Sequence, residues 1–201
     1  MNAVENITSP VGELQWIFIT GKGKKDLQGN DRFVASLVLP TDSDECKAFT
    51  GEINDFWEEN KPKGGKLKSL SFKETEDENG KPTGFTSFNF WTGTQYPDES
   101  DKVVKTFTAK GAEVTLGSKK IGNGSRGRIK GAMAIYDQGV AARGVTLYLN
   151  GIQLTKFIEF KGGVDFDAVE DEDGDTFEGF DDEDSMNAVT ESENPAPQPR
   201  L

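Results

Sequence analysis

The chain has no histidine and only one cysteine, Cys46, among its 201 residues. The missing histidine removes the imidazole general base, the Ser-His-Asp and Cys-His nucleophile pairs and every His-ligated zinc site. A lone cysteine rules out a disulfide framework within one chain. No apolar run reaches the roughly 18 residues that a transmembrane helix needs. The N-terminal stretch MNAVENITSPVGEL lacks the basic start and apolar core of a secretory signal. These absences together lead us to expect a cytoplasmic protein with no membrane association. Carboxylate or lysine catalysis would still be open, but no constellation of such residues argues for it. We therefore expect no enzymatic activity, no cofactor and no metal.

Positive charge is also nearly missing from one part of the chain. Residues 164–201 hold 1 Arg against 14 Asp and Glu, a balance of −13. Residues 1–163 hold 22 Lys and Arg against 21 Asp and Glu, a balance of +1, and the two give the formal −12 of the whole. The sequence thus divides into a near-neutral body, 1–163, and an acidic tail, 164–201. Apolar residues are sparse in the tail, which ends in the proline-rich NPAPQPRL. Such a segment buries too little apolar surface to offset its ordering entropy, so we expect it to be disordered.

The body reads as many short strands and one helix. LQWIFIT (14–20) is aromatic and β-branched between glycines, and GKGKKDLQGN (21–30) follows as a basic loop. RFVASLVLP (32–40) alternates, with Phe33, Ala35, Leu37 and Leu39 on one face and Arg32, Val34 and Ser36 on the other. In TDSDECKAFTGEINDFWEEN (41–60), Cys46, Phe49, Ile53 and Phe56 or Trp57 recur at helical spacing behind a cap at Asp42 or Ser43. LKSLSF (67–72) and GFTSFNFWTGTQY (84–96) read as strands joined by ETEDENGKPT, where Asn79-Gly80 signals a turn. VVKTFTA (103–109), AEVTLG (112–117), VTLYLN (145–150) and IQLTKFIEF (152–160) read as further strands, and 121–135 is glycine-rich and basic. The expected fold class is all-β, a barrel or sandwich with one inserted helix.

Several motif matches fail on their own chemistry. GNGSRG (122–127) has dinucleotide-loop spacing, but the residues after it alternate like a strand and open no helix. Gly117 to Gly122 has phosphate-loop spacing with Asn123 where the lysine must stand. DEDGD (171–175) resembles a calcium loop, yet the twelfth position would be Phe180, where bidentate coordination needs a carboxylate.

The cations are more informative, because they lie in turns and glycine-rich segments. Lys22, Lys24 and Lys25 form one cluster, with Arg32 just beyond; Lys61, Lys63, Lys66 and Lys68 form a second, and Lys119, Lys120, Arg126, Arg128 and Lys130 a third. Cations on long stems next to glycine are what phosphate contact requires. Exposed rings supply base stacking, and the candidates are Trp91, Tyr96, Tyr136 and Tyr148, the last on the outward side of its strand. Trp16 and Phe18 lie in a strand apolar on both faces and read as packing residues. The tail residues Asp171, Asp173, Asp175, Asp181, Asp182, Glu183 and Asp184, with Phe177 and Phe180 as apolar anchors among them, suit two roles. They can compete with nucleic acid for the cations at an effective concentration on the order of mM, or bind basic surfaces of partner proteins.

The run IGNGSRGRIKGAMAIYDQGVAARGVTLYLNGIQLTKFIEF (121–160) resembles the C-terminal half of the bacteriophage OB-fold single-stranded DNA-binding proteins. Gly144, Val145, Leu147, Leu149, Gln153 and Leu154 fall in that family's pattern before its final strand. The early order of strand, basic loop, strand and acidic helix is also similar. The resemblance implies a five-stranded Greek-key barrel with insertions and one inserted helix, with single-stranded DNA crossing its face. It implies roles in phage DNA replication, recombination and repair in the host-cell cytoplasm. It further implies an acidic tail that contacts the phage polymerase and helicase-primase and competes with DNA. Well-studied family members end on an aromatic residue, whereas this sequence ends Pro199-Arg200-Leu201, which leaves either Phe177 or Phe180 as the anchor or a different partner for the tail. The expected function is sequence-independent single-stranded DNA binding, with room for a homodimer. The competing expectation is an acidic DNA mimic that binds a basic protein and needs no cationic groove.

Overall fold

In the computed structural model, the described residues are 3–64, 66–67, 69–139 and 142–162. The tail residues named above, Asp171 to Asp184, lie outside them. In chain order the elements are β1 (Val4–Thr8), β2 (Gly12–Phe18), β3 (Lys24–Lys25), β4 (Asp31–Pro40), α1 (Asp44–Asn60), β5 (Phe72–Glu76), β6 (Pro82–Gly93), β7 (Lys105–Phe107), β8 (Glu113–Val114), β9 (Ser125–Asp137) and β10 (Arg143–Lys156).

Five of these strands close on themselves. β2 pairs with β4, β4 with β6, β6 with β10, β10 with β9, and β9 returns to β2. Every seam is antiparallel except the short parallel one between β6 and β10. This is the connectivity of the OB barrel, and it leaves no open edge among the five strands. β1 pairs with the outer part of β9, β5 with β6, and β7 with β10.

The alternation read from the sequence supplies the interior. Leu14, Phe33, Ala35, Leu37, Phe88, Phe90, Ile129, Met133, Val145, Leu147, Leu149 and Ile152 are all buried. Each fully buried large side chain adds about 1.5–3 kcal/mol of apolar transfer. Helix α1 lays Cys46, Phe49, Ile53, Phe56 and Trp57 against this core, and the Phe49 and Phe88 rings sit 4.9 Å apart. Ser43 caps it, accepting the Cys46 N–H at 3.1 Å, and Asp44 and Glu45 complement the dipole. Pro62 forces Lys61 into extended backbone, which ends the helix. Burial pushes the Cys46 thiol above its ordinary value, so it stays protonated at neutral pH.

Four expectations need correction. LKSLSF forms no strand before Phe72: the strand shifts into the acidic FKETE, leaving a tighter turn in which Asp77 accepts the Asn79 and Lys81 N–H groups. VTLYLN and IQLTKFIEF are not two strands. Asn150-Gly151 makes a bulge, not a turn, so the chain continues as one strand. β1 and the two-residue β3 were not foreseen, because neither carries a run of apolar alternation. Trp16 and Phe18 are not packing residues, for a reason that bears on the site described next.

Candidate nucleic-acid interface

The outward faces of the barrel strands are in register. Phe18 of β2 stands opposite Val34 of β4, Val34 opposite Trp91 of β6, Trp91 opposite Tyr148 of β10, and Tyr148 opposite Ala132 of β9. One lateral row of apolar and aromatic side chains therefore crosses the outside of the barrel. Within it the Trp91 and Tyr148 rings meet edge-on at 5.2 Å. On the other side of β10, a Cβ at Gly131 would lie 1.8 Å from the Tyr148 carbonyl oxygen, so only glycine lets β9 and β10 close at this level.

Cations lie over the row. The Arg32 guanidinium carbon is 4.0 Å from the Trp91 ring centroid, and Lys24 Nζ is 5.9 Å from that of Phe18. Arg32 has room because its partner on β6 is Gly93. Its Nε donates to Asp26 at 2.5 Å, while its η nitrogens take no hydrogen bond among the described residues. Asp26 in turn accepts the Gln28 and Asn30 N–H groups, so one carboxylate both folds the basic loop and aims the guanidinium. Gly23 holds the loop close at φ 65°, where a Cβ would lie 2.2 Å from the Arg32 carbonyl oxygen. Loop and sheet enclose a groove of about 850 Å³ that includes Lys24, the fully exposed Leu27, Arg32, Asn89 and Trp91.

The Arg32 hydrogen bond holds the Asp26 carboxyl well below the usual carboxylate range, and the Arg143 hydrogen bond lowers that of Asp137. Both groups bind fewer protons folded than unfolded, so their contribution is complete above the unfolded carboxylate value. It is lost as pH falls through the folded values. No histidine titrates on the way. Melting temperature is thus expected to be level from about pH 8 to 5 and to fall from about pH 4 downwards. Asp26→Asn should lessen the acid fall, which melting curves across that range will check.

The structure brings some of the sequence-derived residues together and leaves others apart. Lys24, Arg32, Trp91 and Tyr148 converge on the row. Lys22, Lys119 and Lys120 line a second groove of about 720 Å³. Arg126, Arg128 and Lys130 are exposed along β9, continuing the outward line that passes through Ala132, one cation about every 7 Å. Arg128 is propped there by Gln153 at 2.6 Å. Lys25 pairs with Asp31 at 3.0 Å and serves the turn. Tyr136 is half-buried, four residues and about 13 Å along β9 from Ala132, away from the aromatic row. Tyr96 lies beyond the end of β6 under Lys102 Nζ, 4.9 Å from its ring centroid.

Two rings escaped the sequence reading. The β2–β4 register slips between Gln15 and Phe18, so the strand bulges and its strict in-out alternation breaks. Trp16 turns out to solvent with 59% of its surface exposed, and Phe18 with 39%. Apolar residues on both faces of a strand carry no mark of a bulge, so nothing in the sequence separated this case from burial.

Set against solved structures, the chain superposes on the phage T7 protein gp2.5, a single-stranded DNA-binding protein. The TM-score is 0.57 at 18% identity, covering 81% of this chain and 98% of that one. A C-terminally truncated single-stranded DNA-binding protein of bacteriophage Enc34 gives 0.55 at 11% identity, covering 77% and 87%. The same Enc34 protein in complex with single-stranded DNA gives 0.52 at 14% identity, covering 79% and 90%. The chain has the fold of the phage single-stranded DNA-binding proteins. No protein-family model matches the sequence, and no curated protein sequence matches it. The likeness therefore lies in the fold. Among the described residues no helix is long and apolar enough to cross a membrane.

Proposed function

We propose that this protein binds single-stranded DNA without sequence preference and does no chemistry on it. The observation that carries this reading is the Arg32–Trp91–Tyr148 cluster on the outer face of β4, β6 and β10. A ring offers a free face to any base, and the guanidinium lying over the other face of Trp91 is placed for the adjoining phosphate. The face between the second and third barrel strands, with the loop joining the first two, is where OB barrels hold oligonucleotides, and here these are β4, β6 and the Lys22–Asn30 loop. One of the structures of the same fold was solved with single-stranded DNA bound.

We extend the reading to phage DNA replication, recombination and repair, with residues 1–163 as the DNA-binding domain. Residues 164–201 would be an acidic tail that recruits replication proteins, such as a polymerase or helicase-primase, and competes with DNA. The charge division between the two segments supports that arrangement, since a tethered segment of −13 competes for the same cations that a phosphate backbone needs.

Competition against labelled oligo(dT) tests the reading. Unlabelled single strand should displace the label at about one tenth, or less, of the concentration needed with duplex of equal length, because paired bases cannot reach the rings. Equal displacement by both would point to phosphate contact alone. A protein that only presented acids to a basic partner would retain no oligo(dT) at any salt.

A further inference from the structure

Trp16 has φ of 52°, in the left-handed region. A bulky side chain there is a steric outlier that persists only where its surroundings impose it. What imposes it is visible: the Trp16 N–H donates to Asn123 Oδ1 at 2.8 Å, across 107 residues of sequence. This strained geometry does not serve to bury the indole, which is 59% exposed. Its effect is positional. The bulge sets Trp16 on the rim shared by the two grooves, the one on the Arg32–Trp91 face and the one lined by Lys22, Lys119 and Lys120.

The second groove has the chemistry of a nucleic-acid channel. Its charged lining is four lysines, Lys22, Lys119, Lys120 and Lys161, against the single carboxylate of Glu159. That carboxylate lies 3.5 Å from Lys119. Phe18 and Phe160 supply exposed rings, with Phe160 56% exposed. A cationic groove with aromatic walls suits a polyanion that carries flat apolar groups.

We infer that Trp16 is a base-stacking platform at which the bound single strand passes from the Arg32–Trp91 face into the Lys22–Lys119–Lys120 groove. Asn123 is then a positioning residue, acting through the bulge and not on the nucleic acid. The inference rests on the single-stranded DNA reading above and adds a second binding segment to it.

The test uses the full chain and two variants, Trp16→Gly and Trp16→Phe, with oligo(dT) of about 4 and about 16 nucleotides, the range of site sizes for one OB fold. Glycine takes φ of 52° without strain, so Trp16→Gly should melt at or above the wild-type temperature. It should bind the longer oligonucleotide about tenfold or more weakly while losing much less on the shorter one. Trp16→Phe keeps a ring and should retain most of the affinity.

Two results would overturn the inference. In one, Trp16→Gly binds both lengths as the wild type does. In the other, it melts several degrees lower, Trp16→Phe restores the melt, and affinity follows only the folded fraction, which makes Trp16 a packing residue. In both, wild-type binding survives and so does the function proposed above. If the wild type binds neither oligonucleotide, that function falls and the inference falls with it.

Discussion

Replacing Trp91 by alanine should weaken binding to oligo(dT) about 10²-fold with little change in melting temperature. Loss of one base-stacking platform costs about 1–3 kcal/mol. Arg32, 4.0 Å from the ring, loses the surface that orients it, at about 0.5–2 kcal/mol. Tyr148 loses its edge-on partner as well, so its own ring is less well held. A total near 3 kcal/mol corresponds to about 10²-fold. Stability should change little because Trp91 is only half-buried on the outside of the barrel, whereas its neighbours in sequence, Phe90 and Thr92, face inward.

Arg32→Ala should cost about tenfold and lower the steepness of the salt dependence by about one phosphate contact. The two losses should add to less than their sum, since each residue acts partly through the other. Arg32→Lys should rescue only part of the effect, because an ammonium has no flat face to lie on the indole. Fluorescence anisotropy at two salt concentrations measures all of these. A loss below about threefold for Trp91→Ala would remove the stacking role.

Removing residues 164–201 should strengthen oligo(dT) binding about tenfold at low salt, an advantage that shrinks as salt rises. The segment carries −13 and stays tethered to the domain whose cations it would occupy. At an effective concentration on the order of mM, even weak attachment, with a dissociation constant near 0.1 mM, occupies the cations about nine-tenths of the time. Screening weakens that attachment and DNA binding together, so the two proteins should converge at high salt. Unchanged affinity at low salt would end the competition role while leaving DNA binding intact.

The sequence displayed some parts of this molecule and concealed others, for identifiable physical reasons. Alternation in β4 placed Phe33, Ala35, Leu37 and Leu39 inside, and helical spacing placed Cys46, Phe49 and Ile53 on one face of α1, because both patterns are local. Barrel closure is not local. It rests on β9 pairing with both β10 and β2, and the sequence showed that stretch only as glycine-rich, basic and strand-like after Gly127. Arg32, Trp91 and Tyr148 could each be named from residue type and strand face. Their meeting depends on a two-residue parallel seam that no pattern announces. Trp16 was misread because its exposure depends on a bulge locked by Asn123, a partner supplied by the distant loop before β9.

The central claim is that an unpaired strand lies along the aromatic row outside β4, β6 and β10. Ultraviolet cross-linking of oligo(dT) to the full chain, followed by mass-spectrometric mapping of the attached peptides, tests it most directly. Adducts should map to Trp91 and Tyr148. Efficient cross-linking confined to the Arg126–Lys130 edge of β9, or to Tyr96, would place the strand elsewhere and contradict the account.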